Sequence, residues 1–321
     1  MHDGGERRTV TLSGRTPTGS CAYDPRMDHP DRVARHIARN LLGEASTPEP
    51  LAAGAWSTAY ALTVAGRAMV LRVSRYGEDF AKDETVATVA RSVLPVPAVA
   101  ARGETSGWAY ALSERLTGTP LDDLDPGALA AVIPDLFEVM DAISRIEIPG
   151  HGYGVWDASR TAPYRSWPQY LLAVEHEEPR TPGWRAALAA SDIGLEPFER
   201  GLATLRRLAP ELPDKHRMVH ADLLNRNVLV EGDRVSGVLD WGSARFGDPL
   251  YDAAWLWYCW GWYPQWSSID IEAAIGRRWN PDPAALRAYR LHIGLGSIGY
   301  CATRGRWDDV ALNAEWLLAL A

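Results

Sequence analysis

The sequence predicts an α+β chain in two lobes, a small β-rich N-terminal lobe followed by a larger, mainly helical C-terminal lobe. Three observations predict it. Short apolar and β-branched runs, separated by turn residues, crowd the stretch between residues 60 and 113. Helical periodicity takes over beyond Pro120. Inside that helical half, one short hairpin carries polar, chemistry-bearing residues at both of its ends.

The elements follow in chain order. Asp31 to Leu42 has apolar residues at Val33, Ile37, Leu41 and Leu42, which is helical spacing with Asp31 near the start. Tyr60–Val64 and Ala68–Val73 read as strands joined by the turn Ala65-Gly66-Arg67. Phe80 to Val93 places Val86, Val89, Ala90 and Val93 on one helical face, and Leu94-Pro95-Val96-Pro97 ends it. Val96–Ala101 and Trp108–Ser113 complete the strands of the first lobe. Leu116 to Pro120 is the crossover. Asp125-Pro126 caps and opens a helix whose apolar positions are Leu129, Val132, Leu136, Val139, Met140 and Ile143. The aromatic run Tyr251–Trp260, a long helix from Asp282-Pro283 to about Ala302, and a last helix from Asp308-Asp309 follow. The expected domains are a tail over 1–29, an N-terminal lobe over 30–116 and a C-terminal lobe over 117–321.

Composition narrows the function classes. Hydrophobic residues make up 46% of 321, enough for a real core. The 33 basic and 41 acidic residues leave a charge of −8, which argues against nucleic acid as the main partner and suits a cationic small molecule. Cys21, Cys259 and Cys301 are too few and too scattered for a disulfide framework or a zinc site, which fits a reducing cytoplasm. There is no apolar run long enough for a membrane span, and the polar first 29 residues lack the apolar middle of a signal peptide. A monomer is expected.

The chemistry is concentrated in His220-Ala221-Asp222-Leu223-Leu224-Asn225-Arg226-Asn227 and Leu239-Asp240-Trp241-Gly242. An Asp, an Asn five residues on and a second Asp past a short hairpin are the parts phosphoryl transfer needs. One carboxylate orients and deprotonates an attacking hydroxyl, and the other oxygens hold magnesium against nucleotide phosphates. Val228–Val230 and Val235–Leu239 read as the two strands, with Glu231-Gly232-Asp233 as the turn. Asn227 and Asp240 then lie at one end of the ladder. The pattern is that of a protein-kinase-like fold with nucleotide between the lobes.

With these residues in hand, the chain resembles the aminoglycoside phosphotransferases of the kinase-like superfamily, and within them the hygromycin B phosphotransferase branch. Val70-Leu71-Arg72-Val73, Phe80-Ala81-Lys82-Asp83, Leu94-Pro95-Val96-Pro97, Met140-Asp141-Ala142-Ile143, Val219-His220-Ala221-Asp222, Asn227-Val228-Leu229, Asp240-Trp241 and Phe246-Gly247-Asp248 carry the similarity in order. The resemblance implies ATP or GTP and Mg2+ as cofactors, Asp222 as catalytic base, Asn227 and Asp240 as metal ligands, and His220 as a structural prop of the loop. Asp248 and Asp252 are expected to support the metal loop.

Departures from the kinase pattern define the remaining candidates. Arg72 stands where kinases carry the phosphate-clamping Lys, with Glu84, rather than Asp83, taken as its carboxylate partner. The phosphate loop Leu51–Thr58 has one glycine, so its amides and the hydroxyls of Ser57 and Thr58 are the expected phosphate caps, with Ser57 the chosen contact. Glu114 to Leu116 is expected to offer backbone hydrogen bonds to the base. The acceptor-side expectations are Trp241 beside Asp240, with Trp260, Tyr263, Asp270, Asp308 and Asp309, the latter five drawn from an aromatic set over 255–266 and acidic residues that include Glu175, Glu177, Glu178 and Glu272. The implied reaction is transfer to a hydroxyl of an aminocyclitol antibiotic such as hygromycin B, a resistance activity. The alternatives are another hydroxylated acceptor (a macrolide, a nucleoside antibiotic or a metabolic alcohol) or a nucleotide-binding pseudokinase, against which the intact Asp222, Asn227 and Asp240 argue.

Overall fold

The structure, a computed structural model, describes residues 28–321. The expected tail over 1–29 falls almost wholly outside them, and His29, which caps the first helix, belongs to the fold. The chain divides into two compact units. One takes the described residues up to Arg91 together with Val96–Leu116, and the other takes Ser92–Pro95 with Thr117–Ala321.

The first unit is one antiparallel sheet with two helices. Its elements are α1 (Pro30–Asn40), β1 (Glu49–Ala53), β2 (Ser57–Val64), β3 (Arg67–Ser74), α2 (Gly77–Ala90), β4 (Val99–Thr105) and β5 (Trp108–Glu114). The strand order is β1-β2-β3-β5-β4. Val64 pairs with Arg67, so Ala65-Gly66 alone make the β2–β3 turn, both with positive φ as such two-residue turns require. The apolar face of α1 (Val33, Ala34, Ile37) is buried with Tyr60, Leu62, Leu71 and Leu112 of the sheet. The edge strand β1 is absent from the sequence reading, which gave its last residues to the phosphate loop. Pro50 is tolerated there because an edge strand needs only half of its amides.

Helix α2 departs from its expected face. Val86 and Ala90 are buried, but Val89 and Val93 are exposed, and the helix ends before Val93. The inward face also carries Asp79, Lys82 and Asp83. A pattern of apolar residues cannot reveal a face that buries charge.

The second unit contains β6 (Thr119–Pro120), α3 (Pro126–Arg145), β7 (Gly154–Val155), α4 (Trp167–Leu172), α5 (Trp184–Ala189), α6 (Glu196–Leu208), β8 (Arg217–Val219), β9 (Val228–Glu231), β10 (Arg234–Val238), β11 (Arg245–Gly247), α7 (Leu250–Trp260), α8 (Ile271–Trp279), α9 (Pro283–Thr303) and α10 (Trp307–Leu320). Two three-stranded sheets, β10-β9-β6 and β7-β11-β8, flank the loop that leaves β8. Asp125 caps α3 by accepting from the amides of Gly127 and Ala128. Buried Asp135 of α3 accepts from the Val235 amide at 2.7 Å, which fastens the β9–β10 hairpin to the helix. Helix α9 is the core of the helical part, packed against α5, α6, α7 and α10. A side chain at Gly294 would meet the Tyr258 hydroxyl at 2.7 Å, so glycine permits the close approach of α7 and α9.

Candidate active site

The loop from β8 to β9 is held from beneath. Asp252 on α7 accepts from the His220 amide at 3.0 Å and the Ala221 amide at 2.6 Å. This corrects the expectation that Asp252 supports the metal loop: its carboxylate anchors the catalytic loop. Asp248 accepts from the Leu250 amide and the Tyr289 hydroxyl, both at 3.0 Å. His220 Nδ1 faces the Asp222 amide at 3.2 Å, so this nitrogen accepts and Nε2 donates to the Leu239 carbonyl at 3.0 Å. Burial pushes the His220 imidazole down to about 4, which keeps it neutral in that tautomer. Trp241 packs on it at 4.5 Å.

Asp222 follows, half-buried in the loop. Burial pushes its carboxyl up to about 7, against the pull of a hydrogen bond from Asn225. The negative Asp240 adds to the rise and the buried Arg245 guanidinium opposes it. The Asn225 amide donates to Asp222 Oδ1 at 2.7 Å. The chain then turns sharply. The Asn227 amide donates to the Leu224 carbonyl at 3.1 Å, and the central residues Asn225 and Arg226 have φ of 58° and 68°. A distant segment receives this turn. Asp122 accepts from the Asn225 amide at 3.0 Å and from the Arg226 amide at 2.8 Å. Arg226 makes two parallel bonds to Asp123, each 2.8 Å.

Asn227 closes the loop. Its side-chain Nδ2 donates to the Asp222 carbonyl at 2.9 Å, and its own carbonyl accepts from the Leu239 amide at 2.8 Å. With the nitrogen so used, Oδ1 is oriented as an acceptor. Asp240, at φ 55°, caps the short turn Trp241–Ser243 through Oδ1 to the Gly242 amide at 3.3 Å. One neutral oxygen and one carboxylate suit a hard cation such as magnesium. Among the described residues there is no cluster of three or more His, Cys, Asp or Glu placed to hold a metal. The donor set therefore fits a metal that takes further ligands from phosphates and water.

The first unit holds the other expected contacts. Ser57 opens β2, and its carbonyl accepts from the Gly54 amide at 2.9 Å, so Gly54–Ser57 is a tight β1–β2 turn. Arg72 projects from β3 and pairs with Asp83, not with Glu84. Glu84 pairs instead with Arg102 of β4 at 2.6 Å, with both side chains exposed. The correction has a geometric cause: neighbouring helical residues point about 100° apart, and the inward position on α2 belongs to Asp83. Glu114 pairs with Arg91 at 3.0 Å, and its own amide donates to the Ala98 carbonyl at 2.9 Å. Leu116, half-buried, ends the unit.

A sequence profile of the phosphotransferase enzyme family matches residues 47–289, which spans every residue just described. The chain belongs to this family. It is 30% identical to the hygromycin-B 4-O-kinase of Escherichia coli over 294 residues, 89% of this chain and 84% of that one. Viomycin phosphotransferase of Streptomyces vinaceus is 32% identical over 151 residues, 45% of this chain and 48% of its own length. Among solved structures, a thermostable mutant of the aminoglycoside phosphotransferase APH(4)-Ia, in ternary complex with AMP-PNP and hygromycin B, aligns with a TM-score of 0.79. It is 31% identical, covering 90% of this chain and 97% of that one. Spectinomycin phosphotransferase with ADP and spectinomycin aligns at a TM-score of 0.61 and 12% identity, covering 91% of this chain and 98% of that one, and shares the fold. The two-part architecture is the kinase-like fold of these phosphotransferases.

The acceptor-side expectations are the ones that change most in this phosphotransferase. Trp241 and Trp260 are buried, at 1% and 7% exposure, and offer no open ring face. Tyr263 stacks on Trp266 at 4.0 Å and donates its hydroxyl to Asp122. These three are packing and anchoring residues: Trp241 packs on His220, Trp260 ends α7, which is covered by α8 and α9, and Tyr263 lies where the following chain folds back on Leu121–Leu124. Asp270 caps α8 by accepting from the Ala273 amide at 2.9 Å. Asp308 and Asp309 lie in the first turn of α10, where acidic residues suit the helix N-terminus, and Asp309 pairs with Arg306. Glu177 accepts from the amides of Gly183 and Arg185. Sequence reasoning missed Asp122, Asp123 and Asn225. The only local signal was the Asn-Arg-Asn run, since Asn is the side chain that best tolerates positive φ.

Proposed function

We propose that this phosphotransferase transfers the γ-phosphoryl group of ATP (or GTP) to a hydroxyl of an aminocyclitol antibiotic of the hygromycin B type, and so confers resistance. The observation that carries the reading is the Asn227 bridge. One residue bonds the carbonyl of Asp222 through its side chain and the strand entering Asp240 through its backbone. The bridge ties the loop of Asp222 to the end of the β9–β10 hairpin that leads into Asp240, which supports reading Asp222 as the carboxylate for the acceptor hydroxyl and Asn227 and Asp240 as the metal ligands. The acceptor class rests on the similarity to the hygromycin-B 4-O-kinase along most of both chains.

In this reading Asp222 orients the acceptor hydroxyl and takes its proton as the new O–P bond forms. A carboxyl raised to about 7 is well matched to accepting a proton near neutral pH. Asn227 and Asp240 would hold Mg2+, which supplies neutralising charge at the phosphate oxygens. Arg72, oriented by Asp83, and the amides and hydroxyl around Ser57 contact the nucleotide phosphates, and the backbone of Glu114–Leu116 contacts the base. The free buried thiols Cys259 and Cys301 support a cytoplasmic setting.

Incubation of the protein with MgATP and a panel of acceptors tests the proposal, with product mass and phosphorus NMR as readouts. Hygromycin B is expected to gain one phosphoryl group on a hydroxyl. Turnover with a macrolide or a nucleoside antibiotic and none with hygromycin B overturns the acceptor class. No turnover with any acceptor overturns the activity.

A further inference from the structure

A carboxylate base offers two oxygens, and rotation about its last torsion exchanges them. In Asp222 that exchange is blocked from one side, because Oδ1 already accepts the Asn225 side-chain amide at 2.7 Å. The oxygen left to meet a substrate hydroxyl is Oδ2, in a fixed direction. Fixing the direction of a reacting group is where much catalytic advantage arises, and a small misplacement is costly.

Asn225 reaches Asp222 only because of its backbone. Asn225 and Arg226 occupy successive left-handed positions, at φ 58° and 68°. Asn tolerates that region, whereas Arg has no preference for it. The turn is held from a segment about a hundred residues earlier in the chain. Asp122 receives both backbone amides of the turn, through Oδ1 and Oδ2 respectively. Asp123 receives the Arg226 guanidinium through two bonds. Tyr263 also donates to Asp122, which fixes the clamp to the chain that follows α7.

We propose that Asn225 is a positioning residue for Asp222, holding one carboxylate oxygen so that the other faces the acceptor, and that Asp122 and Asp123 are the clamp that keeps its turn left-handed. The inference rests on the reading of Asp222 as the group that receives the acceptor's proton. The plainer account is that Asn225 is a turn former and no more. The two accounts diverge for glycine, which adopts positive φ more readily than asparagine and has no amide to give.

The experiment is a double-mutant cycle on the full chain with Asn225→Gly, Asp222→Asn and the double variant. Transfer to acceptor is followed with γ-labelled nucleotide, together with acceptor-independent nucleotide hydrolysis and the melting temperature. Asn225→Gly is expected to lower kcat for transfer by about 10- to 100-fold. Its nucleotide KM should stay within about twofold, and its ratio of transfer to hydrolysis should fall. In the Asp222→Asn background the same substitution should cost almost nothing, because residues acting as one unit are non-additive. Asn225→Asp keeps the turn and the length but sets a carboxylate against Asp222, so it should lose at least as much as glycine. Wild-type transfer by Asn225→Gly overturns the proposal and leaves the turn former. So does an equal loss in both backgrounds, or a loss matched in nucleotide KM and melting temperature. Full transfer by Asp222→Asn alone overturns the base reading and this inference with it. A loss confined to Asp222→Asn overturns only the inference.

Discussion

His220 donates from Nε2 to the carbonyl oxygen of Leu239 at 3.0 Å, tying the segment that enters Asp222 to the residue that precedes Asp240. The contact joins two carboxylates 18 positions apart in sequence through a buried, neutral ring. His220→Ala leaves the Leu239 carbonyl and the Asp222 amide without this partner and opens space beside Trp241. A loss of about 2–4 kcal/mol in unfolding free energy is expected, measured by urea titration with an unchanged slope. A change below about 0.5 kcal/mol would mean that the ring ties nothing together.

Asp240 and Asn227 should differ in rank. A carboxylate neutralises metal charge and an amide only donates a lone pair, so Asp240→Ala should weaken MgATP binding more than Asn227→Ala. The gap expected is at least about tenfold, or about 1.4 kcal/mol. Calorimetry with and without magnesium checks it. An equal effect of the two variants, or a gap that persists without magnesium, removes the assignment.

Asp83 and Glu84 are neighbours with opposite expectations. Arg72 and Asp83 are both largely shielded, at 16% and 8% side-chain exposure, so Asp83→Asn removes a charged partner from a shielded guanidinium. A nucleotide KM raised several-fold and a destabilisation of about 1–3 kcal/mol should follow, because a charged hydrogen-bond acceptor at a shielded guanidinium is lost. Glu84 and Arg102 are both nearly half exposed, so Glu84→Gln should stay within about 0.5 kcal/mol of wild type with unchanged kinetics. Steady-state kinetics and thermal melts on the pair separate them.

The acid stability of the chain should carry a mark of His292. This ring is buried, its Nδ1 lies 2.8 Å from the Tyr251 hydroxyl, and burial with the charge of Arg245 pushes it down to about 3. Its folded pKa lies below the unfolded value of about 6.5. The stability it contributes is complete above pH 6.5 and drains as pH falls toward 3, because the unfolded chain gains a proton that the native state refuses. Asp252, raised to about 6, acts in the opposite sense, so the wild-type curve mixes both. The difference between wild type and His292→Gln isolates the histidine and should change by about 1.5 kcal/mol between pH 6.5 and 5. A pH-independent difference would show that the ring is already charged or solvated in the native state.

The legible part of the site was the part written in one stretch of chain. Asp222, Asn227 and Asp240 are separated by a turn and a two-stranded ladder, so local strand and turn preferences suffice to bring the ends of that ladder together. The same logic located α1, the β2–β3 hairpin and the caps at Asp125 and Asp282. It failed at α2, where Asp79, Lys82 and Asp83 share the buried face with Phe80 and Val86. Charge there reads as surface, so position relative to the apolar stripe selects Glu84 as the partner of Arg72, whereas the buried charged face gives that place to Asp83.

By itself the sequence determined the order of the elements, the loop that carries Asp222 and Asn227, and the family that such a loop belongs to, because each depends on residues within a few turns of one another. Only the tertiary structure decided that Asp83 answers Arg72, that Asp252 holds the loop amides, that Asp122 and Asp123 grip Asn225 and Arg226, and that Trp241, Trp260 and Tyr263 are spent on packing. These pairings join residues far apart in sequence or depend on how a helix is rotated about its axis. Both are settled by which groups can be desolvated together, and no local preference in the chain encodes that.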